Sequence, residues 1–66
     1  MHLVVNGLRR EVPEGTTLEG LLLLEKEPVR HVVVEVNGEY LPKREYPARI
    51  LREGDRIEII LPAFGG

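Results

Sequence analysis

The sequence predicts an α+β fold in which one main helix packs on one face of a mixed sheet of four to five strands. Three observations indicate this fold: two Asn-Gly pairs that each follow an apolar run, leucines at helical spacing between them, and an apolar strand near the C-terminus. Because the helical segment separates the first hairpin from the later strands, the first and last strands can lie parallel and central in the sheet.

The first element is a β-hairpin. Residues 2–5 form a short apolar strand, Asn6-Gly7 is a strong signal for a two-residue turn, and residues 8–12 return as the second strand. Pro13 and the residues after it break the pattern. We therefore expect a hairpin that ends before the helix begins.

The helix follows, with Thr16 as its predicted N-cap. Thr16 and Glu19 have the spacing of a capping box, in which the Glu side chain reaches back to the backbone N–H of the cap residue. Gly20 lies within the helix and costs about 1 kcal/mol relative to Ala, so the helix must depend on packing. One apolar face and its edge are formed by Leu18, Leu21, Leu22 and Leu24. We expect the run from Leu21 to Leu24 to belong to the core.

The second half of the chain is predicted to form a second hairpin and a final strand. Its predicted parts are a strand at 31–36, the Asn37-Gly38 turn, a short strand at 39–41, an irregular stretch at 42–52, a turn, and a strand at 56–61. We expect residues 1–62 to form one domain and residues 63–66 to be a flexible C-terminal tail.

Composition excludes several classes of function. A chain of 66 residues supports one hydrophobic core. The absence of cysteine excludes disulfides and thiolate sites, and His2 and His31 have no metal-like spacing, so we predict no metal site and no bound cofactor. The net charge of −2 argues against a nucleic-acid partner. With no signal peptide or membrane span in the sequence, we expect a soluble, cytoplasmic protein.

The C-terminal Gly65-Gly66 pair is the most informative feature of the sequence. A terminal carboxyl group is ionised at neutral pH, so acyl transfer from it requires activation, for example by ATP. Glycine has no Cβ and lets another protein's backbone approach closely. Two glycines at the chain end therefore suit a carboxylate that enters the narrow cleft of an activating enzyme, and no nucleophile–base pair elsewhere suggests that the chain is itself an enzyme.

Over essentially its whole length the chain resembles the bacterial sulfur-carrier proteins of thiamine biosynthesis, the ThiS family, which are relatives of ubiquitin with the β-grasp fold. The resemblance depends on the order and spacing of several short features. These are the strand opening at Met1, Val36-Asn37-Gly38, Leu41-Pro42-Lys43-Arg44, Gly54-Asp55 before Ile57-Glu58-Ile59, and Gly65-Gly66.

The resemblance implies a carrier whose chemistry takes place at Gly66. In the family, an adenylating enzyme related to ubiquitin-activating enzymes (ThiF-like) uses ATP to adenylate the terminal glycine. Sulfur from a cysteine-derived persulfide then gives a thiocarboxylate, and a thiazole synthase (ThiG-like) receives that sulfur. The carrier is a co-substrate of these partners and is not an enzyme.

Strand alternation predicts a partner surface on the sheet face opposite the helix. If Ile57, Ile59 and Leu61 point inward, then Ile60 points outward, and the same parity places Val4 and Val33 on the outer face. These three residues form the predicted apolar patch, which is typical of a protein interface. The simpler interpretation is that single Val and Ile residues scattered over a protein surface are normal. In the tail, we expect Ala63, Phe64 and Gly65 to contribute to recognition, with Phe64 either anchored in a partner or folded back on the domain.

Several alternatives remain open at this stage. The small subunit of molybdopterin synthase, a sulfur carrier for tRNA thiolation and a ubiquitin-like protein modifier share the Gly-Gly chemistry. An interaction module with incidental terminal glycines belongs to a different class, and it predicts no response to ATP and an activating enzyme.

Overall fold

The computed structural model describes residues 1–62, with the side chain of Val29 left aside. Its strands are β1 (His2–Val5), β2 (Leu8–Glu11), β3 (Val33–Val36), β4 (Glu39–Leu41) and β5 (Arg56–Ile60). The α-helix α1 is Leu18–Glu25, and short 3-10 helices occupy Val29–His31 and Lys43–Glu45. The strands form one five-stranded sheet in the order β2-β1-β5-β3-β4.

The predicted parallel pairing of the first and last strands is confirmed. β1 pairs with β5 in parallel, with Val4 opposite Arg56 and Val5 opposite Ile57. The β1–β2, β3–β4 and β3–β5 pairs are antiparallel. The mixed sheet with a crossover through α1 therefore has the predicted α+β architecture, and β5 is its middle strand.

The core lies between α1 and the inner face of this sheet. Leu18, Leu21 and Leu22 of α1 are fully buried. They pack in one cluster with residues from the strands and loops, namely Leu3, Val5, Val12, Val32, Val34, Val36, Leu41, Tyr46, Leu51 and Ile57. Each buried leucine contributes about 1.5–3 kcal/mol relative to an exposed one. Because α1 has only two turns, this burial and not helix propensity holds it in place.

Both predicted hairpin turns are present, and their asparagines bond to the middle strand. Asn6 and Asn37 have φ of 50° and 53°, in the left-handed region that asparagine tolerates. The Oδ1 of Asn6 accepts the Ile59 backbone N–H at 2.7 Å. The Oδ1 of Asn37 accepts the Arg56 backbone N–H at 2.9 Å. Each turn is thus fastened to β5 as well as to its own strands.

The N-cap of α1 is Thr17, so the prediction of Thr16 was wrong by one residue. The Thr17 Oγ1 accepts the Gly20 backbone N–H at 3.1 Å, whereas the Thr16 hydroxyl donates to the Pro13 carbonyl at 2.7 Å. The Glu19 backbone N–H donates to the Tyr46 carbonyl. The cap is displaced because the residues before α1 pair with the loop near residue 50, a long-range contact that a local capping rule does not contain.

Other boundaries also differ from the prediction. Leu23 and Leu24 are 72% and 60% exposed, so the leucine run is only half core. The helix ends at Glu25, and Lys26 at φ 58° closes it by donating its N–H to the Leu23 carbonyl. The third strand begins at Val33 instead of residue 31, because a 3-10 turn precedes it.

The last strand is shorter than predicted, and the irregular stretch contributes to the core. β5 ends at Ile60, and Leu61 is 59% exposed instead of pointing inward. Tyr46 and Leu51, in the segment that the sequence left without regular structure, are almost fully buried. This loop therefore closes the core at the N-terminal end of α1, where Leu18 donates its N–H to the Arg49 carbonyl.

Replacing Gly20 by Ala is expected to stabilise the domain by about 0.5–1 kcal/mol, because the helix interior gains a better helix former. A Cβ at this position lies 3.5 Å from the Thr17 Oγ1 and 3.6 Å from the Thr16 Cγ2, which are ordinary contacts. Urea unfolding measures the change. The control is Gly38→Ala, at φ 84°, which is expected to destabilise; a destabilising Gly20→Ala would contradict the packing described.

Stability is expected to fall above pH about 10 partly because of Tyr46. Burial, with a smaller effect of Tyr40, raises the pKa of Tyr46 above its ordinary value. A raised pKa in the folded state means that stability is fully present below the unfolded-state pKa and is lost as pH rises through the folded-state pKa. Tyr46→Phe removes the ionisable hydroxyl and with it this loss of stability. Urea midpoints measured from pH 8 to 11 should fall less steeply in the variant, and identical slopes would contradict the assignment.

Candidate functional site

The outer face of the sheet, opposite α1, carries the side chains that are available to a partner. The register places on this face the residues that alternate with the buried positions, namely His2, Val4, Arg9, Glu11, Val33, Glu35, Tyr40, Arg56, Glu58 and Ile60. No buried polar or charged residue occurs within residues 1–62. The charged groups of the sheet therefore lie on the outer face and at its edges, where their arrangement depends on strand register.

The structure brings two of the three predicted patch residues together. Val33 and Ile60 are directly opposite on β3 and β5, and Ile60 is 41% exposed. Val4 lies elsewhere, between Arg9 on β2 and Arg56 on β5. Arg56 and Ile60 are four positions apart on one strand, or about 13 Å. Val4 therefore lies within a basic row, while Val33 and Ile60 form a separate apolar pair.

Two glutamates are directly opposite each other beside that apolar pair, a feature that the sequence analysis missed. Glu35 of β3 is directly opposite Glu58 of β5, and on its other side it is opposite Tyr40 of β4. Tyr40 is 64% exposed. Within residues 1–62, ion pairs are formed only by Met1 with Glu14, His2 with Glu11 and Glu53, and Arg10 with Glu25. The two facing carboxylates thus have no cation of the described chain to neutralise them.

His2 lies between two other carboxylates at the opposite corner of the outer face. Its Nε2 is 3.1 Å from the Glu11 carboxylate and its Nδ1 is 3.6 Å from that of Glu53. The pKa of Glu53 is lowered chiefly because its carboxylate accepts the His2 backbone N–H at 2.9 Å. Desolvation opposes this effect, and smaller contributions from the nearby His2, N-terminal and Arg9 charges assist it. These contacts of His2 with Glu53 connect β1 to the turn before β5.

The last strand ends at the apolar pair. β5 ends at Ile60, and Leu61 and Pro62 follow. The predicted acyl-transfer residue Gly66 and the predicted recognition residues Gly65, Phe64 and Ala63 lie outside the described residues. Their roles remain predictions.

The part of the chain that the structure describes contains no group of three or more His, Cys, Asp or Glu residues arranged to hold a metal ion. Among those same residues, no helix is long and apolar enough to cross a membrane.

Comparison with known proteins connects this fold to one family. The sequence model of the ThiS family matches residues 3–66. The chain is similar to the crystal structure of a thiamine biosynthesis protein (ThiS) from Geobacter metallireducens, with 33% identity, a TM-score of 0.86 and full coverage of both chains. It is also similar to a solution structure of a thiamine biosynthesis protein from that organism, with 33% identity, a TM-score of 0.82, and coverage of 100% of this chain and 88% of the other.

Two curated sequences named thiazole synthase are also similar to the whole chain. The protein from Paramagnetospirillum magneticum is 38% identical over 66 residues, and the protein from Magnetococcus marinus is 36% identical over 66 residues. In both cases the match covers 100% of this chain and 20% of the relative. The chain therefore spans about a fifth of the length of these curated relatives.

Glu58→Gln is expected to stabilise the isolated domain, by about 0.2–1 kcal/mol, because like charges directly opposite on neighbouring strands are unfavourable. The gain should shrink at high salt, where the repulsion is screened. Thermal unfolding at 20 mM and 500 mM salt measures both effects. Glu39→Gln is the matched control: it removes the same charge from the edge strand β4, where Glu39 is opposite the apolar Val36. Equal effects of the two substitutions would contradict a specific repulsion.

Proposed function

The chain belongs to the ThiS family, and from this premise we propose that it is a sulfur carrier whose Gly66 carboxylate is converted to a thiocarboxylate. The observation that carries the proposal is the family match, which runs from residue 3 through the terminal Gly65-Gly66 pair. Family membership and the thiamine biosynthesis proteins among the structural relatives support a thiamine-related carrier. We further propose that it acts in the cytoplasm.

The proposed reaction proceeds in three balanced steps, all performed by partner proteins. The Gly66 carboxylate attacks the α-phosphorus of ATP, which forms an acyl-adenylate and displaces pyrophosphate. The terminal sulfur of a protein persulfide attacks the acyl carbon and displaces AMP. A thiol of the partner then attacks the partner's own sulfur in the resulting acyl disulfide, which breaks the S–S bond, forms a disulfide on the partner and releases the thiocarboxylate on Gly66. Because the sulfur is attached to the terminal carbon, the carrier needs no cysteine, and this chain has none.

The proposed partners follow from this chemistry. They are a ThiF-like adenylating enzyme that uses the ATP, a persulfide donor, and a ThiG-like thiazole synthase that accepts the sulfur. The similarity to sequences named thiazole synthase supports the last of these, since those longer proteins contain a segment related to this chain. We propose no cofactor bound to the carrier itself, because the reactive group is the chain's own terminus.

Two features support a carrier over a simple interaction module. The last strand is the middle of the sheet and is paired on both sides, with β1 and with β3, so the C-terminal residues follow a firmly held strand. The tail contains the chain's single phenylalanine, Phe64, and ends in two of its seven glycines. The rest of the chain offers few reactive side chains. The molybdopterin and tRNA-thiolation branches share these features, and they differ from the proposal only in the enzyme that accepts the sulfur.

Incubation of the chain with a ThiF-like enzyme, ATP and a persulfide donor is expected to replace one oxygen by one sulfur. Intact-mass spectrometry of the chain ending at Gly66 measures the gain. Deletion of Gly66 should abolish it without lowering the melting temperature, because the described core cluster is formed by residues between Leu3 and Ile57.

The enzyme's competence is checked with an established ThiS protein in the same reaction. If that protein gains sulfur and this chain does not, the carrier proposal is wrong. If the chain gains sulfur but a ThiG-like synthase cannot use it to form thiazole, the carrier chemistry stands and the thiamine assignment is wrong.

A further inference from the structure

The facing carboxylates Glu35 and Glu58 are an unfavourable arrangement for the free domain. Strand register places the two residues directly opposite, where Cβ atoms are about 4.5–5.5 Å apart and like charges repel. Arg56 is on the same face of β5 but forms no ion pair with either carboxylate, and neither does any other cation within residues 1–62. Folding alone does not explain this pair.

The surroundings of the two carboxylates resemble a docking surface more than an ordinary solvated face. Val33 and Ile60 form an apolar pair on one side, and the exposed ring of Tyr40 lies on the other side of Glu35. Aromatic residues are enriched at the centre of protein interfaces, whereas Glu is depleted there, so a partner that covers this surface has to neutralise the two carboxylates. We name this surface, formed by Val33, Glu35, Tyr40, Glu58 and Ile60, the acidic saddle.

We propose that the acidic saddle receives a cationic side chain, of the arginine type, from the adenylating partner that takes up the tail. A guanidinium between two carboxylates neutralises both, and its planar form can stack on a tyrosine ring. The inference rests on the proposed function, because it requires a partner that binds the C-terminal segment. It deepens that function by stating where on the domain the partner docks and what chemistry it presents.

Chain length limits how far the partner's active site can lie from the end of β5. From Ile60 to Gly66 there are six residues, which span at most about 20 Å when fully extended. Glu58 is two positions before Ile60 on the same strand, or about 7 Å away. A protein that holds Gly66 in its active site therefore has to lie near the end of β5, and the acidic saddle is the part of the outer face next to that end.

Charge complementarity also predicts how the partner is oriented. Arg9 and Arg56 flank Val4 at the other end of the outer face, about four residues along β5 from Ile60. A partner that covers the face therefore needs a basic group over the acidic saddle and tolerates acidic groups over the arginine row. The reversed orientation juxtaposes like charges, which disfavours it.

The test uses the full chain, its ThiF-like adenylating enzyme and ATP. Calorimetry measures the affinity of the enzyme for the wild type and for Glu35→Gln, Glu58→Gln and the double variant, at 50 mM and 300 mM salt. We expect each single variant to bind at least about tenfold more weakly, and the salt dependence to decrease in the double variant. Glu39→Gln, on the inner parity of β4, should bind like the wild type.

Folding does not confound the result. Removing one of two repelling carboxylates is expected to leave the melting temperature of the free carrier unchanged or higher, so weaker binding cannot be attributed to unfolding. Pyrophosphate release, measured in parallel, should show a raised KM for the carrier in the two Gln variants. At saturating carrier, kcat should be unchanged, because these side chains position the domain and do not touch the reacting carboxylate.

Three outcomes overturn the inference, and they are distinguishable. If the wild type is adenylated and the Gln variants bind equally well, the docking site is wrong while the proposed function stands. If the wild type is neither bound nor adenylated by a competent enzyme, both are wrong. If the variants bind the enzyme normally but abolish a salt-sensitive dimer seen by ultracentrifugation, the acidic saddle instead contacts the arginine row of a second copy.

Discussion

The pairing of β5 in the middle of the sheet is the constraint on which the rest of the structure depends. β5 is parallel to β1 and antiparallel to β3, so it joins the two halves of the chain. The side chains of Asn6 and Asn37 accept backbone N–H groups of the same strand. Because both hairpin turns are anchored to β5, their unusual backbone angles are fixed together with the register of the sheet.

That register separates the two faces of the molecule into different kinds of surface. On the inner face it aligns apolar residues of four strands against α1, and every described buried side chain there is apolar or Tyr46. On the outer face the same alternation places Glu35 opposite Glu58 and Val33 opposite Ile60. A shift of one residue would exchange these two sets. Burial of the inner face thus determines the outer pattern, including its unfavourable carboxylate pair, and β5 ends two residues beyond Glu58.

The sequence by itself determined the fold class, because the features that specify it are local. Each Asn-Gly pair marks a turn through the φ > 0 that its residues tolerate, and the leucine spacing marks the helix. Strand alternation was sufficient to assign Val4, Val33 and Ile60 to one face, as the register has them. The Gly65-Gly66 end, together with the other short features, indicated the ThiS family. The family match over residues 3–66 confirms this prediction.

Tertiary structure alone decided which of those residues are neighbours. Alternation assigns a side chain to a face but not to a cross-strand partner, so the separation of Val4 from Ile60 and the opposition of Glu35 and Glu58 were not visible in the sequence. The same reason applies to the N-cap, which moved to Thr17 because residues before the helix pair with a distant loop. Contacts between residues that are distant along the chain depend on the packing of the whole core, and a local sequence pattern does not contain that information.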